Sequence, residues 1–208
     1  MISRILILLS LAFLSISSSA KISLSNIFCD HMVLQRDHEN PIWGTASPGE
    51  LVTVSISEQN HTALANQEGK WRLFLDPLPA GGPYTLDVSG SNKISFEDVL
   101  VGEVWFCAGQ SNMEWPVSRI NHSEVELATA SNPLIRLITI GKNGTQTPQD
   151  DVEGHWTIAT TETVNNFSAV GFLFGKRLQA ALNVPIGLID NSWGGSAAEA
   201  WVPREVLE

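Results

Sequence analysis

Basic residues are scarce: 12 Lys and Arg stand against 22 Asp and Glu in 208 residues, a formal charge of −10. Binding a polyanion rests on neutralising its phosphates with cations, so this balance argues against a nucleic-acid partner. Long apolar runs are missing too. Beyond residue 20 no stretch approaches the roughly 18 uninterrupted apolar residues of a membrane span. There is no His-Glu-x-x-His and no paired Cys-x-x-Cys, so nothing supports a zinc site, and no cofactor motif is present. Gly171 to Lys176 lacks phosphate-loop spacing, and Gly141-Lys142-Asn143-Gly144 reads as a turn. Cysteine is limited to Cys29 and Cys107. One bridge between them stays open, as does the reading of both as small buried hydrophobes.

The first 20 residues are a separate matter. Arg4 precedes an apolar run from Ile5 to Leu14, and Ser18 and Ala20 supply the small residues of a cleavage site. This reads as a secretory signal, and the mature chain is expected to lack a membrane span. Four sequons, at Asn60, Asn121, Asn143 and Asn166, fit a glycoprotein of that route.

After the signal the chain is rich in short alternating runs. Leu51 to Ile56, His61 to Ala65, Lys70 to Leu75 and Tyr84 to Val88 read as strands, separated by turn chemistry such as Pro48-Gly49, Gln67-Glu68-Gly69 and Asp76 to Pro83. Residues 21–98 are thus expected to form a small β-sandwich, with a structural role or an accessory one in carbohydrate contact. From residue 99 the pattern changes. A strand to Cys107 is followed by a helix over Ser123 to Ala130 and a strand over Leu134 to Ile140. A polar loop runs through Gly144 and Pro148. A helix capped by Asn166 or Ser168 comes next, with Val170, Leu173, Phe174, Leu178, Ala181 and Leu182 on one face. Asn183-Val184-Pro185 ends that helix, and the apolar strand Ile186 to Asp190 follows. Strands and helices alternating in this way predict an α/β open parallel sheet over 99–208.

One stretch carries chemistry. Val101-Gly102-Glu103-Val104-Trp105-Phe106-Cys107-Ala108-Gly109 leads through Gln110 into Ser111, so a serine stands at the carboxyl end of a buried strand. The Gly-x-Ser-x-Gly elbow is not met, because Met113 occupies the second glycine position. A second loop, Asn191-Ser192-Trp193-Gly194-Gly195-Ser196, leaves the end of another strand. In an open sheet the two loops share a rim, where ligands bind. Gly194 and Gly195 let backbone N–H groups approach a reacting oxygen, and a helix starting near Ala197 would aim further donors at it.

Six blocks carry a resemblance: Met32 to Arg36; Trp43-Gly44 with Pro48-Gly49-Glu50; Gly102 to Trp105; Gly109 to Met113; Phe167 to Gly171; and Ser192 to Gly195. In this order they resemble the sialate O-acetylesterase family of the SGNH hydrolase superfamily. The resemblance covers essentially the whole mature chain. It implies a flavodoxin-like sheet and a secreted or lysosomal serine esterase that removes O-acetyl groups from sialic acids or from other acetylated glycans. It implies Ser111 as nucleophile, with the N–H groups of Ser111 and of Gly195 or Gly194 as oxyanion donors. Gln110 and Asn112 are motif neighbours that shape the turn beside the substrate. Trp193 and Trp115 are available to stack on a sugar ring or to pack structurally. No metal is implied.

The family's Gln-Gly-Glu and Asp-x-x-His segments, the latter supplying the base, do not occur here. None of the histidines at 31, 38, 61, 122 and 155 has an Asp three residues before it. His155 is the one substitute to consider. The resemblance therefore implies an amino-terminal piece of a longer esterase, with almost no activity by itself. Two other readings remain: a non-catalytic secreted glycan-binding protein, and a serine that only caps a helix. Neither accounts for six ordered blocks.

Overall fold

The computed structural model describes residues 20–145 and 147–207. The signal-peptide reading falls on residues outside these, except for Ala20.

The first strands are β1 (Ser23–Leu24), β2 (Val33–Gln35), β3 (Asn40–Thr45), β4 (Leu51–Ile56), β5 (Gln59–Leu64), β6 (Lys70–Leu75) and β7 (Gly81–Ser89). Strand β8 (Lys93–Gly109) follows, then helices α1 (Ser111–Glu114) and α2 (Ser123–Ala128), strands β9 (Asn132–Thr139) and β10 (Thr157–Ala159), and helices α3 (Thr161–Asn165) and α4 (Ala169–Leu182). The last elements are β11 (Ile186–Ser192), a 3₁₀ turn over Ala198–Trp201 and α5 (Arg204–Leu207). The helix expected near Ala197 is thus a single 3₁₀ turn.

Alternation sets the amino-terminal strands. In β6 the residues Trp71, Leu73 and Leu75 are buried while Lys70, Arg72 and Phe74 face out, the period of two that a strand with one covered face requires. A three-stranded sheet, β1-β3-β6, lies over the antiparallel strands β5, β4, β7 and the first half of β8. Its core holds Ile42, Val52, Val54, Trp71, Leu75 and Leu86.

Strand β8 then continues into the second half of the molecule. Its first part pairs antiparallel with β7, and Glu103 to Gly109 pair parallel with β11. The large sheet is therefore mixed, in the order β10-β9-β11-β8-β7-β4-β5. The change of pattern at residues 98–99 falls inside one strand. Alternation there gives way to a run of four buried residues, Val99 to Gly102, because both faces of the strand become covered. Within the α/β half, β9, β11 and β8 are parallel and β10 adds an antiparallel edge.

Arg136 and Asp98 join the halves. Arg136 is 3% exposed, and its guanidinium reaches both Asp98 carboxylate oxygens at 2.7 and 3.1 Å. His31 Nδ1 lies 2.7 Å from the same carboxylate, and Arg136 also donates to the Pro133 carbonyl at 2.9 Å.

Helix α4 differs from its expected orientation. Ala169, Gly171, Phe172 and Gly175 are buried, with Leu173 and Leu178 partly so. Val170, Phe174 and Leu182 are exposed. The sequence Ala-Val-Gly-Phe-Leu-Phe-Gly is apolar all round, so periodicity alone does not select the covered side. Phe174 instead meets Trp105 of β8 edge-on, 4.9 Å between ring centroids. Both cysteines are free thiols. Cys29 accepts the Trp156 N–H at 3.2 Å, whereas burial raises the Cys107 thiol to about 11, which makes it a poor nucleophile.

Candidate active site

Gly109 leaves β8 with φ of +141°, a conformation open to glycine and strained for other residues. Gln110 stays extended, and its carbonyl accepts the N–H groups of Met113 and Glu114 at 2.9 and 3.1 Å. That closes one helical turn with Ser111 as its first residue. Ser111 is exposed, as are Gln110 and Asn112.

The second loop is bound to the first. Gly109 and Ser192 are register partners, and the Trp193 N–H donates to the Gly109 carbonyl at 2.8 Å. The chain then turns back on itself, the Ser196 N–H reaching the Trp193 carbonyl at 3.2 Å. Gly195 at φ +81° takes the third position of that turn, where a type II turn needs a positive φ and hence glycine. A Cβ on Gly194 would stand 3.5 Å from the Ser111 Cα and collide with the Glu114 carboxylate. The two loops are therefore in contact beside the serine.

The Gly194 N–H donates to the Glu114 carboxylate, which is paired in turn with Lys142. The Lys142 ammonium and the Gly194 N–H hold Glu114 below the ordinary carboxylate range, so it stays ionised. Of the two glycines named from the sequence, Gly194 thus has its N–H engaged. The Gly195 N–H has no partner among the described residues, and a Cβ built on Gly195 would meet open space.

A groove of about 460 Å³ lies over Ser111, walled by Trp115, Arg119, Lys142, Asn166, Asp190 and Ser192 among others. Asp190 is 5% exposed and accepts from the Ser192 N–H at 3.0 Å and the Ser192 hydroxyl at 2.6 Å. Burial raises its pKa, outweighing those two hydrogen bonds. Trp115 borders this groove and donates to the Arg119 carbonyl at 3.2 Å. Trp193 borders the neighbouring, larger groove, with the Lys142 ammonium 6.0 Å from its ring centroid.

Glu114, Lys142 and Asp190 were not among the site residues expected from the sequence, and Asn166 was expected there only as a sequon and a helix cap. Glu114 alone left a signal, standing directly after the serine motif. No histidine lines the groove among the described residues, and His155 is exposed in the segment before β10. The sequon asparagines Asn60, Asn121, Asn143 and Asn166 are all exposed, and Asn166 also borders the groove.

Residues 101–207 match the family model of a carbohydrate esterase, sialic acid-specific acetylesterase. The chain belongs to this family. Among curated carbohydrate esterases, the sialate O-acetylesterase of Mus musculus is 33% identical over an alignment of 224 positions, covering 98% of this chain and 41% of that protein. The sialate O-acetylesterase of Homo sapiens is 35% identical over 191 positions, covering 82% of this chain and 36% of that protein. The crystal structure of a carbohydrate acetylesterase from Xanthomonas citri superposes with a TM-score of 0.87 at 38% identity, covering 90% of this chain and 44% of that chain. The chain spans about two fifths of the length of the curated esterases it matches. No helix among the described residues is long and apolar enough to cross a membrane.

Proposed function

We propose that the chain carries the nucleophile and oxyanion donors of a serine esterase that removes O-acetyl groups from sialic acids. The observation that carries this reading is the contact between the Ser111 turn and the Gly194-Gly195 turn at adjacent strand ends, in a chain of this esterase family.

In this mechanism Ser111 Oγ attacks the acetyl carbonyl, and the Ser111 and Gly195 N–H groups hold the oxyanion that develops. The ester C–O bond breaks, the sugar hydroxyl leaves with a proton, and water then releases acetate from the acyl-serine. Gly194 serves differently, its N–H fixing the turn through Glu114. Gln110 shapes the serine turn and Asn112 faces the substrate side, while Trp115 and Trp193 offer ring faces to the sugar. The serine proton needs an acceptor from outside the described groove lining, which holds no imidazole. The leader-like first 20 residues and the sequons at Asn60, Asn121, Asn143 and Asn166 fit a secreted or lysosomal glycoprotein. The domain division proposed is a sandwich half before the middle of β8 and a catalytic half after it.

Fluorophosphonate labelling with peptide mapping, run beside acetate release from O-acetylated sialic acid in a protein that carries this chain together with the base, tests the assignment. An adduct on Ser111 that abolishes release is the expected result. Acetate release that survives with Ser111 unlabelled would sink it. A second reading, an ester on another glycan, is favoured by the Xanthomonas citri neighbour, a carbohydrate acetylesterase. A higher kcat/KM on acetylated xylo-oligosaccharides than on acetylated sialic acid would select it.

A further inference from the structure

The outer face of β3 and β6 holds a cation that packs on aromatic rings and has no anionic partner among the described residues. Arg72 stands opposite Trp43 in the strand register. Its guanidinium lies 5.9 Å from the Trp43 ring centroid and 5.4 Å from that of Phe74. No hydrogen bond or ion pair occupies its N–H groups among the described residues. Beside it is a cavity of about 610 Å³, bordered by Trp43, Leu64, Asn66, Lys70, Arg72 and Asp150.

The acidic groups of this cavity are already satisfied. Asp150 is paired with Lys70 at 2.6 Å. Asp151 accepts from the Ser25 hydroxyl at 3.0 Å, from the Asn26 N–H at 2.7 Å and its amide at 3.1 Å, and from the Val152 N–H at 2.8 Å. A cationic ligand thus finds no unengaged carboxylate, whereas an anionic one finds an open guanidinium fork. In a chain of charge −10, such a point is where an acidic ligand can approach.

The cavity also adjoins the serine groove through an intermediate one. Gln149 and Asp151 border both this cavity and a middle groove of about 1210 Å³. Ile140, Lys142 and Ser192 border both the middle groove and the groove over Ser111. A track therefore runs from Ser111 across the loop following β9 to the sandwich face.

We propose that this face is a second carbohydrate subsite, which takes a carboxylate-bearing sugar of the same glycan chain whose ester is presented to Ser111. The carboxylate sits on the Arg72 fork, the bidentate geometry guanidinium favours, and the apolar side of the ring lies along Trp43 and Leu64. The idea rests on the glycan-esterase reading for its ligand class, but its test needs no turnover.

Titration of the purified protein with unacetylated sialyllactose, followed through the tryptophan indole N–H resonances, is the experiment. A saturable shift of the Trp43 resonance is expected. Arg72→Gln, a surface change whose fold is checked by an unchanged thermal midpoint, should weaken that binding about tenfold, the size of a lost charge-assisted contact. Lactose, which lacks the carboxylate, should be weakened similarly. Shifts confined to Trp115 and Trp193 would overturn the subsite while leaving the Ser111 groove as a sugar site. No shift at any indole, or equal binding by Arg72→Gln, would overturn it as well. A Trp43 shift in a protein that carries this chain together with a base, yet releases no acetate, would leave the subsite standing and remove the esterase reading.

Discussion

The N–H of Trp193 donates to the carbonyl of Gly109 at 2.8 Å, one residue beyond the last register pair of β8 and β11. The parallel ladder thus continues into both loops of the candidate site. Ser111 and the Gly194-Gly195 turn are held by the sheet itself, and neither moves without breaking the end of a ladder. Catalytic groups placed this way keep their geometry through packing of the whole core rather than through contacts of their own.

In a protein that carries this chain together with the base, Ser111→Ala should abolish acetate release while leaving the fold intact. In serine hydrolases loss of the nucleophile lowers kcat by about 10⁶-fold. The side chain is exposed, and no side-chain hydrogen bond is formed by it among the described residues, so the unfolding free energy should change by less than about 0.5 kcal/mol. Steady-state kinetics with a denaturation curve check both halves.

Gly195→Ala separates backbone strain from crowding. A Cβ there meets nothing within 4 Å, but φ is +81°. The substitution should therefore cost about 1 kcal/mol of stability through strain alone. If the turn shifts to relieve that strain, kcat should fall by about 10²-fold, as when an oxyanion donor is lost. Unchanged kcat with the stability loss present would mean that the turn keeps its place under strain and that the residue-195 N–H is still aimed as before.

Glu114→Gln tests the link from Lys142 to Gly194. The pair is surface-exposed, and such pairs contribute under about 1 kcal/mol, so stability should hardly move. The turn that presents the Gly195 N–H loses a charged acceptor, and kcat should drop about tenfold with KM little changed. Equal losses in Lys142→Met would assign the effect to the pair, and an unaffected kcat in both would assign Glu114 no positioning role.

These contacts mark what the sequence could and could not convey. The alternation in Lys70 to Leu75 and the caps and apolar run of Ala169 to Leu182 are local patterns, and the elements appear where they predict. Ser111 and the two glycines were legible because each follows a strand end. Glu114 with Gly194 spans 80 residues and Arg136 with Asp98 spans 38, so both depend on sheet register, which no local period encodes. The covered side of α4 was illegible for a different reason: Phe172 and Phe174 are equally apolar, and only the sheet decides that Phe172 is the buried one.

Asp98→Asn should destabilise the junction of the two halves. Arg136 is buried and would lose its only carboxylate partner among the described residues, a change of about 3 kcal/mol. The Arg136 hydrogen bonds hold the Asp98 carboxyl below its ordinary range. Its contribution is thus complete above the unfolded value of about 3.9 and is lost as pH falls through the lower folded value. Urea unfolding at pH 7 and pH 3 should show the gap between wild type and variant narrowing in acid. A constant gap would mean the loss comes from packing rather than charge.

Asp190→Asn has the opposite sign. Burial keeps the folded pKa of Asp190 above its unfolded value, so ionising it opposes folding. Its favourable contribution is complete below the unfolded value and is lost as pH rises through the folded one. An asparagine keeps a carbonyl oxygen for the Ser192 N–H and hydroxyl without the charge. At pH 7 the variant should be the more stable of the two. Near pH 3 both proteins carry a neutral group there, and the difference should vanish. The same substitution removes a negative charge from the groove over Ser111, where an attacking serine must surrender a proton. A gain in stability accompanied by a fall in kcat would show that the buried carboxylate is kept for its effect on the groove, at the expense of the fold.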